Sequence, residues 1–379
     1  MSTNQRLPWG ALLVATGILA GCGGGSGGDG DTPLQTITGP TRPSGFISPN
    51  VTITVGADAA RPTAPEDFHR HQMNGFRAWR LDYANASLKL LISAIGPKPL
   101  LDHLENFRKT ARTPEESGAA AQFIDLIHKA YTADASVDTE AFILGLQELA
   151  PFNKRNAAGD SEFKLRSDFP FTQQDPERFL PLISQLFRLD TLPGWSFDID
   201  ETHIHQGQER AQRSARNSFQ MFQPVQLNRV KSEDLKAFKL QTLVDLLHAD
   251  QEALVKWNDA DAQATAVKVR RQVSIPDVEN FKRLTIWLQG QTSENTSYSL
   301  NDTATLPAID QKTKQKIVLT LAAKEAVMWS GTRYVIRIKD DEGWWIKHDD
   351  SFVSPAGAGD DKHAATLINF AVTNVAPAP

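Results

Sequence analysis

The sequence holds a single cysteine among 379 residues, at position 22. One thiol excludes an intramolecular disulfide, a cysteine-based zinc site and an iron–sulfur cluster. Positive charge is also not in excess: 40 Lys+Arg stand against 45 Asp+Glu, net −5, and no long basic run interrupts the mixture. A phosphate-tracking surface has no basis in such a composition, so nucleic acid is not expected as a partner. What remains is ordinary for a globular chain, 40% hydrophobic and 22% charged with 21 Pro and 24 Gly.

The cysteine follows Arg6 and an apolar stretch from Trp9 to Gly21. That stretch is too short to span a bilayer but has the basic start and apolar middle of a secretory signal. Leu19-Ala20-Gly21-Cys22 resembles the bacterial lipobox. The resemblance implies cleavage before Cys22 and diacylglycerol on its sulfur, leaving a mature chain of 379 − 21 = 358 residues. Gly23 after the cysteine, where an Asp would retain a protein at the inner membrane, favours the outer membrane of a bacterial cell envelope. Residues 22–46 are rich in Gly, Ser, Asp, Thr and Pro and read as a flexible tether. One domain is expected over 65–373, with 374–379 as a tail.

Within the domain the hydrophobic period changes half-way. Ala84, Leu88, Leu91, Ile92 and Ile95 follow helical spacing, with Asp82 where an N-cap belongs and Gly96-Pro97 closing the segment. Helices are also expected from Ala119 to Tyr131, from Thr139 to Leu149, and from Asp175-Pro176 through Phe187. Glu115-Glu116 and Asp360-Asp361 read as exposed loop charges. Later segments alternate: Leu284, Ile286 and Leu288; Val318 and Thr320; Tyr334, Ile336 and Ile338; Ile368, Phe370 and Val372. Asp340 to Gly343 reads as a hairpin turn, and Trp344-Trp345 as a strand with one ring in the core. Helices followed by an antiparallel sheet predict an α+β fold.

Several blocks in this order resemble the ubiquitin-specific protease family. Gly75-Phe76 followed by Asp82-Tyr83-Ala84-Asn85 is similar to its Cys box, and Gln173-Gln174-Asp175-Pro176 to a Gln-Gln-Asp helix start. Leu284-Thr285-Ile286-Trp287-Leu288 resembles a Leu-x-Ile-x-Leu strand, and Gly331-Thr332-Arg333-Tyr334 with Trp344 to Asp350 resembles the His box. Ala365 to Val372 stands where the family has its final strand. The resemblance implies a papain-like fold: a helical thumb lobe, an antiparallel β-sheet palm and a reduced fingers region without zinc. His203-Ile204-His205 falls near the family's first zinc-binding pair, but no thiols complete a tetrahedral set, and His69 with His71 reads as solvated. No metal or cofactor is expected.

The catalytic positions implied by the resemblance depart from the family. The nucleophile position is Asp82; the base position is Arg333, which cannot release a proton near neutral pH. Asp349 stands where the family orients its histidine, Arg77 where it has the oxyanion Asn, and Trp79 where it has a small Gly. These three far-separated residues, Asp82, Arg333 and Asp349, are expected to converge at one cleft. Two function classes follow: a catalytically inactive module that binds a protein, whether ubiquitin-like or from a host, or an isopeptidase with non-standard catalytic residues.

Overall fold

The computed structural model describes residues 51–54, 73–78, 80–133, 136–154, 175–217, 223–226, 239–258, 263–289, 296–330, 332–340, 343, 345–349, 353–355 and 364–378. All of them lie in one unit, Gly39–Pro379. The helices are α1 (Asp82–Ile95), α2 (Pro97–Thr110), α3 (Pro114–Thr132), α4 (Glu140–Gly145), α5 (Pro176–Leu186) and α6 (Leu240–His248). Two short strands, β2 (Phe76–Arg77) and β3 (Val137–Asp138), pair in parallel beside α1; β1 (Val51–Thr54) precedes them. The remaining strands are β4 (Phe197–His205), β5 (Gln208–Asn217), β6 (Gln223–Gln226), β7 (Gln251–Val255), β8 (Thr265–Ile275), β9 (Arg283–Gln289) and β10 (Thr296–Ser299). They continue with β11 (Thr303–Asp310), β12 (Lys316–Trp329), β13 (Tyr334–Lys339), β14 (Trp345–His348), β15 (Val353–Pro355) and β16 (Ala364–Pro377).

Among the described residues one sheet runs β10-β1-β16-β12-β11-β8-β4-β5, and β13, β14 and β15 branch from β12 as an antiparallel ribbon. Further branches are β9 with β6 beside β16, and β7 beside β8. The sheet is mixed rather than antiparallel throughout: β1 pairs β10, β6 pairs β9 and β8 pairs β11 in parallel. Each parallel pair is joined by a long connection instead of a hairpin, which is what parallel pairing demands. The last strand also runs past the expected end of the domain. Residues Asn374 to Pro377, expected as a tail, pair with Ile317 to Thr320 of β12.

Two apolar clusters flank the sheet. On one side Leu88, Leu91 and Ile92 of α1, with Phe123 of α3 and Phe179 of α5, pack against Val327, Tyr334, Ile336 and Leu367. On the other, Leu243 and Leu247 of α6 pack with Phe197, Leu319, Met328 and Ile368. Neighbouring strand residues face opposite sides, so Val327 and Met328 serve different clusters. That explains why Tyr334 to Ile336 are all buried although the sequence suggested alternation. In β12 the inward set is Ile317, Leu319 and Leu321, with Val318 and Thr320 only half-buried.

α1 is surrounded, and twelve of its fourteen residues are buried. A helix buried all round must find a partner for every polar side chain it carries. Ser87 donates to the Tyr83 carbonyl at 2.7 Å, Asn85 to the Phe76 carbonyl at 3.4 Å, and Ser93 to the Glu325 carboxylate at 2.7 Å. Elsewhere Glu115 and Glu116 are not loop charges. They form the first turn of α3, where Thr113 caps the helix by accepting from the Glu116 N–H and negative charge meets the positive end of the dipole.

Candidate functional site

Asp82 does not cap α1. Leu81 is the cap residue, its carbonyl accepting from the Asn85 N–H at 2.9 Å, and Asp82 is the first helical residue. Its carboxylate instead crosses to the sheet, where Oδ2 accepts the backbone N–H of Tyr334 at 2.5 Å. Tyr334 is the first residue of β13, next to Arg333. Asp175 repeats the pattern. It sits at the cap position of α5 ahead of Pro176, yet makes no side-chain cap bond; its Oδ1 accepts the Tyr334 hydroxyl. Two aspartates that begin different helices therefore meet on one tyrosine, both nearly inaccessible to solvent.

Arg333 is held from two directions. Ser330 Oγ donates to the Arg333 carbonyl and accepts its N–H, closing the loop between β12 and β13. The guanidinium donates to Asp349 Oδ2 at 2.7 Å from the end of the adjacent strand β14. The arginine is 43% exposed and the carboxylate side chain 2%. A partly open cation thus covers a buried anion, and charge-assisted bonds of this length are the strong ones.

The structure accordingly brings Asp82, Arg333 and Asp349 together at the junction of α1 with the β13–β14 ribbon. Arg77 is not drawn into the cluster: on β2 its exposed guanidinium turns to Asp138 at 3.8 Å. Its carbonyl accepts the Thr139 N–H, and Thr139 Oγ1 reaches Asn85 of α1, so that backbone is fixed while the side chain stays at the surface. Tyr83, beside the cluster, has its phenol pushed well up, first by burial and then by the Asp82 charge, with Arg178 opposing.

An imidazole does lie next to Asp349. His348 ends β14, but it faces inward, its Nδ1 2.6 Å from Lys89 Nζ on α1, and is only 4% exposed. Burial and the neighbouring Lys89 charge hold it well below the ordinary histidine range, and burial holds Lys89 well below the ordinary lysine range. Sequence reasoning missed both this pair and Asp175's bond to Tyr334. A lysine within the apolar run from Leu88 to Ile92 was the available signal.

His203 and His205 share one face of β4. His203 is buried with Glu201 at 3.8 Å, and His205 packs on the Trp257 ring at 5.5 Å between centroids. No three or more His, Cys, Asp and Glu gather as a metal site among the described residues. Trp345 is buried and donates to Asn301 Oδ1 at 2.8 Å. Cys22, His69, His71, Trp79, Gln173, Gln174, Gly331, Trp344, Asp360 and Asp361 lie outside the described residues.

No family model matches the sequence, and no curated protein matches it. Solved structures do. The SAGA DUB module of Ubp8, Sgf11, Sus1 and Sgf73 bound to monoubiquitin matches with a TM-score of 0.51 and 16% identity, over 85% of this chain and 73% of that one. The same module bound to ubiquitin aldehyde gives 0.51 and 15% over 83% and 72%, and a yeast SAGA DUB module structure gives 0.50 and 14% over 85% and 73%. The fold is ubiquitin-specific-protease-like. At these identities the likeness extends to the fold alone.

Proposed function

We propose that this chain is a catalytically inactive, ubiquitin-specific-protease-like module of papain-like architecture that holds a protein partner and is anchored by lipid on Cys22 to a bacterial cell envelope. The observation that carries the inactive reading is chemical. After Cys22 the chain has no thiol, and the positions resembling the family's nucleophile and base are Asp82 and Arg333. A guanidinium cannot serve as general base near neutral pH, and a carboxylate bound to the Tyr334 N–H already stabilises the helix–strand junction. Loss of nucleophile and base together removes orders of magnitude in rate. What supports a protein partner is that the solved structures sharing the fold are of a module bound to monoubiquitin or ubiquitin aldehyde. The lipid anchor rests on the lipobox resemblance.

The test has two arms. Ubiquitin with a C-terminal amide fluorophore should show no turnover by the purified chain above buffer, and immobilised chain should retain ubiquitin or a ubiquitin-like protein in a direct binding measurement. Turnover abolished by Asp82→Ala would replace this reading with a carboxylate-based isopeptidase. Absence of both turnover and binding would remove ubiquitin-like proteins as partners.

A further inference from the structure

Lys89 and His348 are 259 residues apart in sequence, and their nitrogens lie 2.6 Å from each other in the seam between α1 and β14. They are 2% and 4% exposed, and the Phe76 ring lies 5.0 Å from the Lys89 nitrogen. The contact has a proton count built into it. Lys89 donates whether it is an ammonium or an amine, provided that His348 Nδ1 offers a lone pair, which puts the imidazole proton on Nε2. A proton on Nδ1 leaves two facing donors whenever Lys89 is charged. Two protons on the pair therefore break the bond and bury two like charges.

Nearby charges are committed elsewhere. On α1 Asp82 accepts from Tyr334, and on β12 Glu325 takes Ser93, Asn369 and, at 3.7 Å, Arg283. On β13 Arg333 pairs with Asp349, and on α5 Asp175 takes the Tyr334 phenol. Arg77 on β2 pairs with Asp138, and His103 on α2 bonds the Phe187 carbonyl. Glu177 and Arg178 on α5, Arg337 on β13 and Lys347 on β14 have interactions of their own. Among the described residues no carboxylate bonds to either Lys89 or His348.

We propose that the Lys89–His348 contact is a pH-sensitive latch that fastens α1 to the end of β14 and opens on acidification, loosening the segment that presents Asp349 to Arg333. The latch is independent of the function proposed above. The sign follows from linkage. His348 is held below its unfolded value of about 6.5, so the unfolded chain binds more protons between those two values. Its contribution is complete above about pH 6.5 and is lost as pH falls from there toward the folded value. Lys89, also depressed, adds a rise of stability with pH between its folded value and about 10.4.

The experiment measures urea unfolding of the full chain, its His348 ring resonances by NMR, and amide exchange at pH 7.5 and 5.5 corrected for intrinsic rates. In the folded chain the His348 ring should not titrate near pH 6.5. His348→Gln, which keeps an acceptor for Lys89, should flatten the pH dependence of the unfolding constant below pH 6.5 by up to about tenfold per pH unit. On acidification, amides of 86–92 and 345–349 should lose more protection than those of α3. A His348 ring that titrates near 6.5 with the fold intact, an unchanged slope in His348→Gln, or a uniform loss of protection would each overturn the latch. Should His348→Gln fail to fold, the wild-type titration and exchange decide alone.

Discussion

Tyr334 joins three elements with two bonds: its N–H donates to Asp82 of α1 and its hydroxyl to Asp175 at the start of α5. Removing one partner of a buried hydrogen bond leaves the other desolvated and unsatisfied, a cost of about 1–3 kcal/mol. Asp82→Ala strands a backbone donor, and Tyr334→Phe strands an acceptor on Asp175. Each should lower the unfolding free energy by that amount, read as a lower urea midpoint at unchanged slope. Because Asp82 and Tyr334 are themselves in contact, the double variant should depart from additivity by about 0.5–3 kcal/mol. Asp82→Asn keeps an acceptor and should recover most of the loss, which a pure charge role would not allow. The expectation that Asp82 caps α1 was wrong for a physical reason. A carboxylate that can satisfy a buried donor on a neighbouring element gains more there than at a solvated helix end.

Helix and strand identity followed from hydrophobic period, as in β9, β13 and α5. What the period did not show is that β13 is buried on both faces. Tyr334 and Ile336 pack on one cluster and Val335 on the other, so residues that alternate between the faces are all buried. α6 was not foreseen either, although Leu240, Leu243, Val244 and Leu247 hold helical spacing. Ahead of β4, Gly194 sits at φ +87°, and a Cβ there would lie 1.9 Å from the Asn280 carbonyl oxygen. The clash is with backbone, which cannot swing aside. Its own carbonyl also accepts the Lys282 N–H at 3.0 Å. Gly194→Ala combines left-handed strain, about 1–3 kcal/mol by itself, with that overlap, and should lower the melting temperature measured by circular dichroism more than Gly118→Ala, which meets open space in α3.

At the scale of the molecule the lipobox carries a prediction of its own. Cys22→Ser removes the only sulfur that could accept diacylglycerol, so the chain should move from the membrane fraction to the soluble one, or persist uncleaved, in fractionated bacterial cells. Unchanged processing and retention would refute the anchor. Among the described residues no helix is long and apolar enough to cross a membrane.

The sequence by itself determined composition, the lone thiol, the helical first half and the strand-rich second half, and the order of the blocks that resemble a ubiquitin-specific protease. Those are properties of single segments or of their order along the chain. Tertiary structure alone decided which groups meet. It brought Asp82 to the Tyr334 N–H across 252 residues, turned Arg77 outward to Asp138, ran β16 to Pro377 and closed Lys89 onto His348. Such contacts arise because a surrounded helix and a two-faced sheet leave no water for their polar groups, so each must find its partner in whatever element the fold lays against it.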